Sequence, residues 1–589
     1  REGNGPPRRK EGEGVSKGDI LGFYCFGRHD SSVSLVRDGN ILAAAEEERF
    51  SRRKFDREFP ASALAFCLEW GGVDVRDLEA VAVAWNPRAH RKEKVLHVLR
   101  HFPASIRIFI QSSGRHVQLD NARGHFTKRT GYRGPFHPIN HHLAHAASAF
   151  YPSPFEEAAV LTVDGVGEWE TVWMGKGKGT DLERLRSQGW PHSLGAVYTA
   201  VTQFLGFQIF SDEYKVMGLA PYGEPARLDQ FREIITLTDK GFRVDPAYFG
   251  YHVGRENFFS KRFVQTFGSP REPDGPVEKQ HEDLAASLQA RTEEVLIHLA
   301  RIARIESGSP NLCLAGGVAL NSVAVGKIID EGVADRIFIP PCAGDAGVSL
   351  GAALYVSHAV LGMDRAAPLR DARLGPEWGE GHMRAALAGG GLEYEVSADV
   401  ISAAASALAG GEVIGWFQGR TEFGQRALGA RSILADPRRA EMKDIINAKV
   451  KFREAFRPFA PSVQEERLSE FFHGTLPCPF MTQVYRVRDG ARDLIPAVTH
   501  VDGTGRVQTV ARDSNPLYWE LLQAFGAKTG VPILLNTSFN VKGEPIVNTP
   551  EDAVACFLKA DLDLLCMGNL LARKTPAGRG PPPRAAAQD

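Results

Sequence analysis

The stretch EEAAVLTVDGVGEWETVWMG, residues 156–175, decides the fold, because a glycine-rich turn separates two apolar runs. The runs are rich in Ala, Val, Leu and Trp, which predicts two β-strands. Asp164, Gly165 and Gly167 lie in the turn between them. Because glycine lets backbone N–H groups approach a phosphate closely, the stretch predicts a hairpin that contacts phosphate.

A second stretch, GFYCFGRHDSSVSLVRDGNILAAAE (22–46), has a similar plan, with a hairpin turn at residues 38–40. Four polar residues, 29–32, interrupt its apolar runs, where a plain core hairpin would carry only turn residues. Two interpretations stay open here. One is a solvated loop, and the other is a phosphate-contacting turn in which His29 is available as a base.

Two later stretches place a glycine turn between a strand and a helix, NLCLAGGVALNSVAVGKIIDEG (311–332) and RIFIPPCAGDAGVSLGAALYVS (336–357). Asp345 lies in the second of these turns. Two phosphate-contacting hairpins followed by such units resemble the actin, Hsp70 and sugar-kinase superfamily. The resemblance implies an N-terminal α/β domain, which we place at residues 19–365.

The stretch NHHLAHAASAFY (140–151) carries three histidines at the start of a predicted helix. His141 and His145 are four residues apart and share one helical face. They are either buried core histidines or two ligands of one metal ion, completed by Asp345 or Asp164 from neighbouring turns. His142 is predicted to face away or to contact substrate.

The rest of the chain is predicted to contain a second α/β domain at 382–574, after a linker at 366–381 that is rich in Pro and Gly. Residues 1–18 and 575–589 have little apolar content, so we expect a disordered arm and tail. With seven scattered cysteines and no C-x-x-C pair, the chain fits a reducing compartment without disulfides. No apolar run approaches the length of a spanning helix, so a cytoplasmic protein that binds no membrane is expected.

Cationic side chains are concentrated in the second predicted domain. GRTEFGQRALGARSILADPRR (419–439) and KVKFREAFRPFAPSV (449–463) hold arginines and lysines among glycines, prolines and phenylalanines. A charge run is ordinarily a solvated face, but these runs lack helical spacing and favour a lined anion pocket. The total formal charge of −1 argues against nucleic acid.

Taken together, these motifs resemble the O-carbamoyltransferases of the NodU/CmcH type, which include the tobramycin and cephamycin enzymes. The resemblance runs from about residue 20 to 572 and includes HHLAHAASAFY, DGVGE, DEYKVMGLAPYG, AGGVALN, FRPFAP, VDGTGRVQTV and NTSFN in the family's order. It implies an actin-like domain similar to the tRNA threonylcarbamoyl-transferring protein, followed by a YrdC-like domain that forms carbamoyl-adenylate.

The resemblance also implies the chemistry. Carbamoyl phosphate and ATP, with Mg²⁺, would give carbamoyl-adenylate, and a small hydroxylated metabolite such as an antibiotic would accept the carbamoyl group. Iron(II) is the metal of the family, although nitrogen and oxygen ligands also admit zinc or manganese. A homodimer is left open as the assembly.

Site residues follow from the same resemblance. The implied metal ligands are His141, His145, Asp164 and Asp345. The implied carbamoyl-phosphate site is Lys451, Arg457, Arg506, Ser538 and Asn540. Nucleotide contacts are assigned to Asp30, Ser31, Gly165, Gly167, Lys215, Gly316, Gly317, Asn321, Arg420, Arg426, Arg431 and Ser432. The predicted catalytic residues are His29, as acceptor of the hydroxyl proton, and Lys54.

Phe55 stands where family members often carry histidine, and Gln425 where many carry proline.

A tRNA threonylcarbamoyl-transferase-like enzyme or a sugar kinase is the alternative function, and it leaves residues 419–463 unexplained. A metallopeptidase is disfavoured, because the chain has no His-Glu-x-x-His. An ATP-binding scaffold is the non-enzymatic alternative. The acceptor pocket is predicted within 86–136 and 224–280.

Overall fold

The computed structural model describes residues 18–27, 29–105, 117–451, 454 and 456–574. The predicted arm, apart from Gly18, and the predicted tail lie outside the described residues. All seven cysteines are buried and free, as expected from their apolar surroundings. Among the described residues, no helix combines the length and the apolar character that crossing a membrane needs.

The N-terminal half is built on two five-stranded sheets of the same topology. The first has the order β3-β2-β1-β4-β5 and the second the order β12-β11-β6-β7-β8. In each, three sequential antiparallel strands are extended by two parallel ones, so the second sheet repeats the plan of the first. This duplication confirms the predicted actin-like α/β fold. The strands are β1 Asp19–Tyr24, β2 Ser32–Arg37, β3 Asn40–Glu46, β4 Ala80–Val83, β5 Phe136–Pro138, β6 Glu157–Val163, β7 Glu170–Lys178, β8 Asp181–Gly189, the β9 Ile235–Thr238 and β10 Gly241–Val244 hairpin, β11 Asn311–Ala315 and β12 Arg336–Phe338.

Helices pack against these sheets and connect their strands. A helix follows Pro60, and the helices predicted after the two strand–glycine turns are present. The helix His141–Phe150 is almost wholly buried. The α-helices of this half are Glu48–Ser51, Ala61–Gly71, Arg91–Arg100, Ala122–Thr130, His141–Phe150, Leu194–Phe204, Glu213–Leu219, Leu228–Ile234, Lys261–Phe267, Lys279–Ser307, Ser322–Asp330 and Val348–Tyr355.

The C-terminal half contains an eight-stranded mixed sheet of order β13-β23-β22-β14-β15-β21-β16-β20 and a small sheet β17-β18-β19. Its strands are β13 Tyr394–Val396, β14 Ile414–Phe417, β15 Arg431–Ala435, β16 Ala460–Gln464, β17 Phe472–His473, β18 Val484–Val487, β19 Thr504–Arg506, β20 Gln508–Val510, β21 Ile533–Ser538, β22 Leu564–Met567 and β23 Leu570–Ala572. Its α-helices are Glu380–Gly389, Val400–Ala409, Met442–Ile446, Leu468–Phe471, Asp489–Arg492, Pro516–Thr529 and Pro550–Lys559.

The segment between the halves, which the sequence predicts as a linker, is hydrogen-bonded to both. The N–H of Ala44 in β3 donates to the carbonyl of Leu374, at 3.1 Å. The N–H of Phe423 in the C-terminal half donates to the carbonyl of Ala372, at 2.7 Å. Ala372 and Leu374 are themselves buried. The connection is therefore packed between the halves.

Candidate active site

Four buried side chains converge where the two N-terminal sheets meet. His141 and His145 lie on one helix, Asp164 follows β6, and Asp345 begins a 3₁₀ turn. One nitrogen or carboxylate oxygen from each lies within 4.8 Å of the others. Nε2 of His141 is 3.4 Å from one oxygen of each aspartate. Nε2 of His145 is 3.8 Å from Asp164 and 3.6 Å from Asp345.

The chemistry of this group fits a divalent metal ion. Both ring nitrogens of His141 and of His145 are buried and make no hydrogen bond with another described residue. Burial opposes ionisation of Asp164 and Asp345, but the two histidines hold the pKa of both carboxyls well below the usual range. Two ionised carboxylates facing two available imidazoles form a nitrogen and oxygen donor set suited to iron, zinc or manganese.

Hydrogen bonds hold the helix that carries these histidines. The Glu168 carboxylate, at the end of the Asp164 turn, accepts from the N–H groups of His141 and Asn86 and from the side-chain amide of Asn140. Asn140 also caps the helix by accepting from the Leu143 N–H at 3.2 Å. The glycine-rich turn and the histidine helix therefore form one hydrogen-bonded unit.

His142 faces away from the other two histidines, as predicted. Its Nδ1 is 2.6 Å from the Thr162 hydroxyl, and its Nε2 is 2.9 Å from the Glu170 carbonyl. Burial lowers its pKa to about 3. His142 is therefore a neutral residue with two partners inside the fold.

Both aspartates are oriented by groups from other elements. The Gly317 N–H donates to Asp164 Oδ1 at 2.9 Å, which leaves Oδ2 toward the histidines. A Cβ at Gly317 would lie 2.7 Å from the same oxygen, so a larger residue there would displace the Asp164 carboxylate. The Tyr24 hydroxyl donates to Asp345 at 3.2 Å. Gly317 was predicted as a nucleotide contact, and the structure places it beside the metal candidates.

The two predicted catalytic residues have unusual electrostatic environments. His29 Nδ1 is 2.8 Å from the Asp30 carboxylate. Burial disfavours the charged imidazole, but Asp30 outweighs burial and raises the pKa of His29 to about 10. The imidazole is thus charged near pH 7, whereas the sequence interpretation took it as a neutral base. Lys54 is exposed to the cavity, and desolvation by its surroundings lowers its pKa, which favours the neutral amine.

Phe55 lies between these two residues. Its ring centroid is 6.3 Å from that of His29 and 5.0 Å from the Lys54 ammonium. Its backbone is in the left-handed region, with φ of 58°, and its N–H donates to Glu48 at 2.7 Å. An apolar ring therefore occupies the position at which the resemblance noted from the sequence leads us to expect histidine.

A second cluster contains three of the predicted carbamoyl-phosphate residues. Lys451 Nζ donates to the carbonyls of Ser538 and Asn540, at 2.6 and 3.0 Å, and to the Asn540 side chain at 2.7 Å. The Ser538 hydroxyl also donates to that side chain, at 2.7 Å. Ser538 ends β21, so a lysine from a helical turn is held at the end of a buried strand.

Arginines surround this second cluster. Desolvation, together with the positive charge of Arg457, lowers the pKa of Arg426 to about 10. Within the described residues, no carboxylate pairs with Arg426. The Arg457 guanidinium lies 4.5 Å from the centre of the Tyr214 ring. Arg457 also pairs with Glu454 at 3.7 Å, whereas Arg426 does not. Because half-buried like charges repel one another unless an anion compensates them, this region is suited to phosphate.

One cavity of 1980 Å³ connects the two clusters. The candidate residues that line this cavity come from many different elements, in both halves of the chain. These are His29, Asp30, Lys54, Asp164, Gly165, Gly167, Lys215, Gly317, Asn321, Asp345, Arg426, Lys451, Arg457, Arg506, Ser538 and Asn540. His141 and His145 lie behind Asp164 and Asp345 and complete the metal group.

Two cavity residues predicted as nucleotide contacts have protein partners. Lys215 pairs with Asp212 of its own helix start and with Glu454 of the C-terminal half, each at 3.0 Å. Asn321 exchanges amide hydrogen bonds with Gln289. Lys215 therefore joins the two halves at the edge of the cavity.

Five residues predicted as nucleotide contacts do not line the cavity: Ser31, Gly316, Arg420, Arg431 and Ser432. The Arg420 guanidinium donates to the carbonyls of Leu42, Leu374 and Gly375 and lies over the Trp70 ring. Arg431 is fully buried and donates to three carbonyls of its own half. Ser31 and Ser432 are buried, and Gly316 packs against Val163. Segment composition could not separate these structural arginines from Arg426.

Sequence reasoning missed the supporting roles of Glu168, Tyr24 and Glu46. Glu168 had a visible signal, because it ends the DGVGE turn and Asn140 is a helix-capping residue type. Tyr24 and Glu46 lie in strands, and nothing in their local sequence distinguishes them from other strand residues.

Family models match both halves of the chain. The model described as Carbamoyltransferase N-terminus matches residues 19–354, and the one described as Carbamoyltransferase C-terminus matches residues 405–574. The chain belongs to the carbamoyltransferase family. The second match covers much of the cationic region that a sugar-kinase interpretation left unexplained.

Individual relatives agree with this assignment. This carbamoyltransferase is 42% identical to nodulation protein NolNO of Sinorhizobium fredii, over 93% of this chain and 79% of that protein. It is 46% identical to nodulation protein NolO of Bradyrhizobium diazoefficiens, over 74% and 79% of the two chains. It is 41% identical to an uncharacterized protein of Synechocystis sp., over 94% and 97%. The chain is therefore a carbamoyltransferase enzyme.

Proposed function

We propose that this carbamoyltransferase uses ATP and carbamoyl phosphate to carbamoylate a hydroxyl group of a small metabolite. The observation that carries the proposal is the single cavity lined by a cationic cluster and by the aspartates of a metal-ligand group. The two clusters suit two successive reactions, one on phosphates and one on a carbamoyl carbon.

In the first reaction, carbamoyl phosphate is hydrolysed to carbamate and phosphate. A carbamate oxygen then attacks the α-phosphorus of ATP, the bond to the β-phosphate breaks, and pyrophosphate leaves. Lys451, Arg457 and Arg506 supply positive charge for the carbamoyl phosphate, while Ser538 and Asn540 fix the lysine. We assign Arg426 to the ATP phosphates, since it is half-buried in the cavity wall and has no carboxylate partner among the described residues.

In the second reaction, the acceptor hydroxyl attacks the carbamoyl carbon, and AMP leaves as the bond to its phosphate oxygen breaks. We assign removal of the hydroxyl proton to Lys54, because it lines the cavity and its lowered pKa favours the neutral amine. We assign to His29 a hydrogen bond to the carbamoyl oxygen, because Asp30 keeps its imidazole charged. The sequence analysis expected His29 to accept the hydroxyl proton, and this proposal gives that task to Lys54 instead.

A divalent cation, with iron(II) as the metal expected from the family, would be held by His141, His145, Asp164 and Asp345. When bound, such an ion supplies positive charge that can polarise a phosphate or carbonyl oxygen. The expected cofactors are therefore this metal, ATP and Mg²⁺ with the nucleotide. The metal assignment rests on the nitrogen and oxygen donor set of these four residues. The ATP assignment rests on the cationic cluster.

The first test needs no acceptor. Purified protein is given ATP and carbamoyl phosphate, and pyrophosphate release is measured with and without carbamoyl phosphate. We expect release to require both substrates and to fall at least about 100-fold in Lys451→Ala and Arg457→Ala, since each removes a charged partner of a buried anion. Lys449→Ala is the matched control, because Lys449 faces Asp561 and Asp563 two residues from Lys451.

Pyrophosphate release that is independent of carbamoyl phosphate would contradict the proposed first reaction. Equal loss in the Lys449 control would contradict the assignment of Lys451. The acceptor is then sought by mass spectrometry, by screening hydroxylated metabolites, antibiotics among them, for a product carrying one added carbamoyl group. An acceptor modified on an amine rather than a hydroxyl would contradict O-carbamoylation.

A further inference from the structure

Two side chains of the N-terminal half hold the backbone of one residue in the C-terminal half. Glu46 Oε1 accepts a hydrogen bond from the Gly424 N–H at 2.9 Å. An Arg49 amino group donates to the Gly424 carbonyl oxygen at 2.6 Å. Glu46 and Arg49 also pair with each other at 3.3 Å. Both polar groups of the Gly424 backbone are thus bound by one ion pair across the boundary between the halves.

This ion pair is buried at the cavity wall. Glu46 is 4% exposed and Arg49 is 2% exposed. Taking two charges out of water costs free energy that their mutual attraction often does not recover, so a buried pair is weak evidence for stability. A buried pair whose remaining hydrogen bonds go to one backbone position across a domain boundary is better explained by positioning.

Gly424 packs against the turn that leads to Asp345. Its φ of 122° is in the region that favours glycine, and a Cβ there would collide with the Pro341 carbonyl. The side chain of Gln425 reaches Gly344, where an added Cβ would be 3.2 Å from its amide nitrogen. Arg426, the next residue, lines the cavity. The bound backbone therefore connects Arg426 to the turn that carries a metal candidate.

We propose that Glu46 and Arg49 are positioning residues that hold the Gly424 backbone against the Asp345 turn and thereby place Arg426 in the cavity. The functional part of this proposal rests on the proposed role of Arg426 at the ATP phosphates. Within the C-terminal half, Glu422 holds the other side of the same loop by accepting from the N–H groups of Leu428, Ala430 and Arg431. The loop is therefore fixed from both halves.

A double-mutant cycle tests the link from Arg49 to Arg426. Arg49→Ala, Arg426→Ala and the double variant are compared by the KM for ATP in pyrophosphate release. We expect each single variant to raise KM about tenfold or more, as for loss of a charged hydrogen bond, and the double variant to be no worse than Arg426→Ala. Additive effects would overturn the proposal, since Arg49 would then act independently of Arg426.

The matched control is Arg37, a half-buried arginine that pairs with a buried aspartate. Arg37 pairs with Asp19 at 2.6 Å and donates to the Gly71 carbonyl at 2.8 Å, so all of its partners lie within the N-terminal half. Arg37→Ala should lower the unfolding temperature and leave the KM for ATP unchanged. If Arg37→Ala raises this KM as much as Arg49→Ala, general loosening explains both effects and the proposal fails.

Hydrogen exchange measures the contact without any activity. Amide exchange in the peptide that contains Gly424 is followed by mass spectrometry, and we expect it to be about tenfold faster in Arg49→Ala and Glu46→Ala but unchanged in Arg37→Ala. Unchanged exchange in the Glu46 variant would overturn the proposal. If Arg49→Ala does not fold, Arg49→Lys, which keeps one donor for Gly424, replaces it, and its exchange should be intermediate.

The two measurements separate this proposal from the proposed function. If the wild type releases no pyrophosphate while the Glu46 and Arg49 variants still exchange faster at Gly424, the proposed function fails and the positioning role stands. If pyrophosphate release behaves as expected but exchange at Gly424 is unaffected, the proposed function stands and the positioning role fails.

Discussion

At the scale of single residues, neighbouring side chains of the same type have different tasks. His141 and His142 are adjacent and both buried, yet only the ring nitrogens of His141 are without hydrogen bonds among the described residues. His142 uses both nitrogens on Thr162 and Glu170. The direction of the side chain from the helix, rather than burial, distinguishes a metal candidate from a structural histidine.

This difference predicts separate effects on metal content. His141→Ala and His145→Ala should lose bound metal, because each removes one of four ligands, whereas His142→Asn should retain it. The His142 variant should instead be less stable, by about 1–3 kcal/mol, because a buried polar partner is left unsatisfied. Elemental mass spectrometry measures the metal content per folded protein, and thermal unfolding measures the stability. Together they distinguish loss of a metal ligand from loss of a structural hydrogen bond. Loss of metal in His142→Asn would contradict the assignment.

The proposed task of Lys54 predicts a pH dependence. A base must be neutral to accept a proton, so the rate of transfer from a trapped carbamoyl-adenylate should rise with pH through the pKa of Lys54 while His29 stays charged, below its pKa of about 10. Desolvation lowers the pKa of Lys54, so the midpoint of the rise should lie below the ordinary lysine value of 10.5. The rate is measured as AMP release in single turnovers.

Lys54→Arg is the informative variant for this prediction. It keeps the positive charge but has no neutral form at accessible pH, so the dependence on pH and most of the rate should disappear. His29→Asn should lower the rate while the pH dependence persists. If the pH profile is lost in His29→Asn and kept in Lys54→Arg, the two assignments are reversed.

At the scale of elements, close packing of two helices sets the distance between metal candidates. The helix Val348–Tyr355 follows the Asp345 turn and crosses the helix that carries both histidines. Gly351 makes this approach possible, because a Cβ there would collide with the Ala144 carbonyl and lie 2.8 Å from the Ser148 nitrogen. The absence of one side chain therefore brings Asp345 within reach of the histidines.

Gly351→Ala should separate these helices. We expect it to lower the free energy of unfolding by about 1–3 kcal/mol, as for other overpacked cores, and to weaken metal binding. Gly389→Ala is the control, because Gly389 lies in the helix Glu380–Gly389 and nothing occupies the space around its added Cβ. That variant should be as stable as the wild type or slightly more stable. Equal destabilisation of both would contradict the packing explanation.

The elements themselves could be predicted from the sequence, and their long-range contacts only in part. Glycine turns between apolar runs predicted β6 and β7 and the helices that follow β11 and β12, because these signals are local. The helix that begins at His141 was predictable from its composition and spacing. The contacts of Glu46 and Arg420 depend on residues more than 370 positions away, and the local sequence carries no information about them.

At the scale of the whole molecule, the metal candidates come from distant parts of the chain. Two lie in a helix that follows the first sheet, one follows the first strand of the second sheet, and one precedes the helix Val348–Tyr355. An ion bound by all four residues would cross-link these elements, and it could do so only in the folded protein, because only folding brings these elements together. Such binding stabilises the folded protein by mass action.

Chelation should therefore lower the unfolding temperature of the metal-loaded protein. Free metal at 100 times its dissociation constant stabilises by about 2.7 kcal/mol, which chelation would remove. Adding back iron(II), zinc or manganese in separate samples should restore the temperature, most strongly for the resident metal. His145→Ala is the control and should not respond to chelator. An unchanged unfolding temperature in the wild type would contradict a metal shared by these elements.

The dimensions of the cavity have a consequence for the fate of the reaction intermediate. A single molecule confined to 1980 Å³ is at a concentration on the order of 1 M with respect to any group on the cavity wall. A carbamoyl-adenylate made at the cationic cluster would meet the acceptor at that concentration, however dilute the enzyme. Unlabelled carbamoyl-adenylate added to the solution would then compete poorly with labelled carbamoyl-adenylate formed in the cavity. The isotope ratio of the product would measure the extent of this competition.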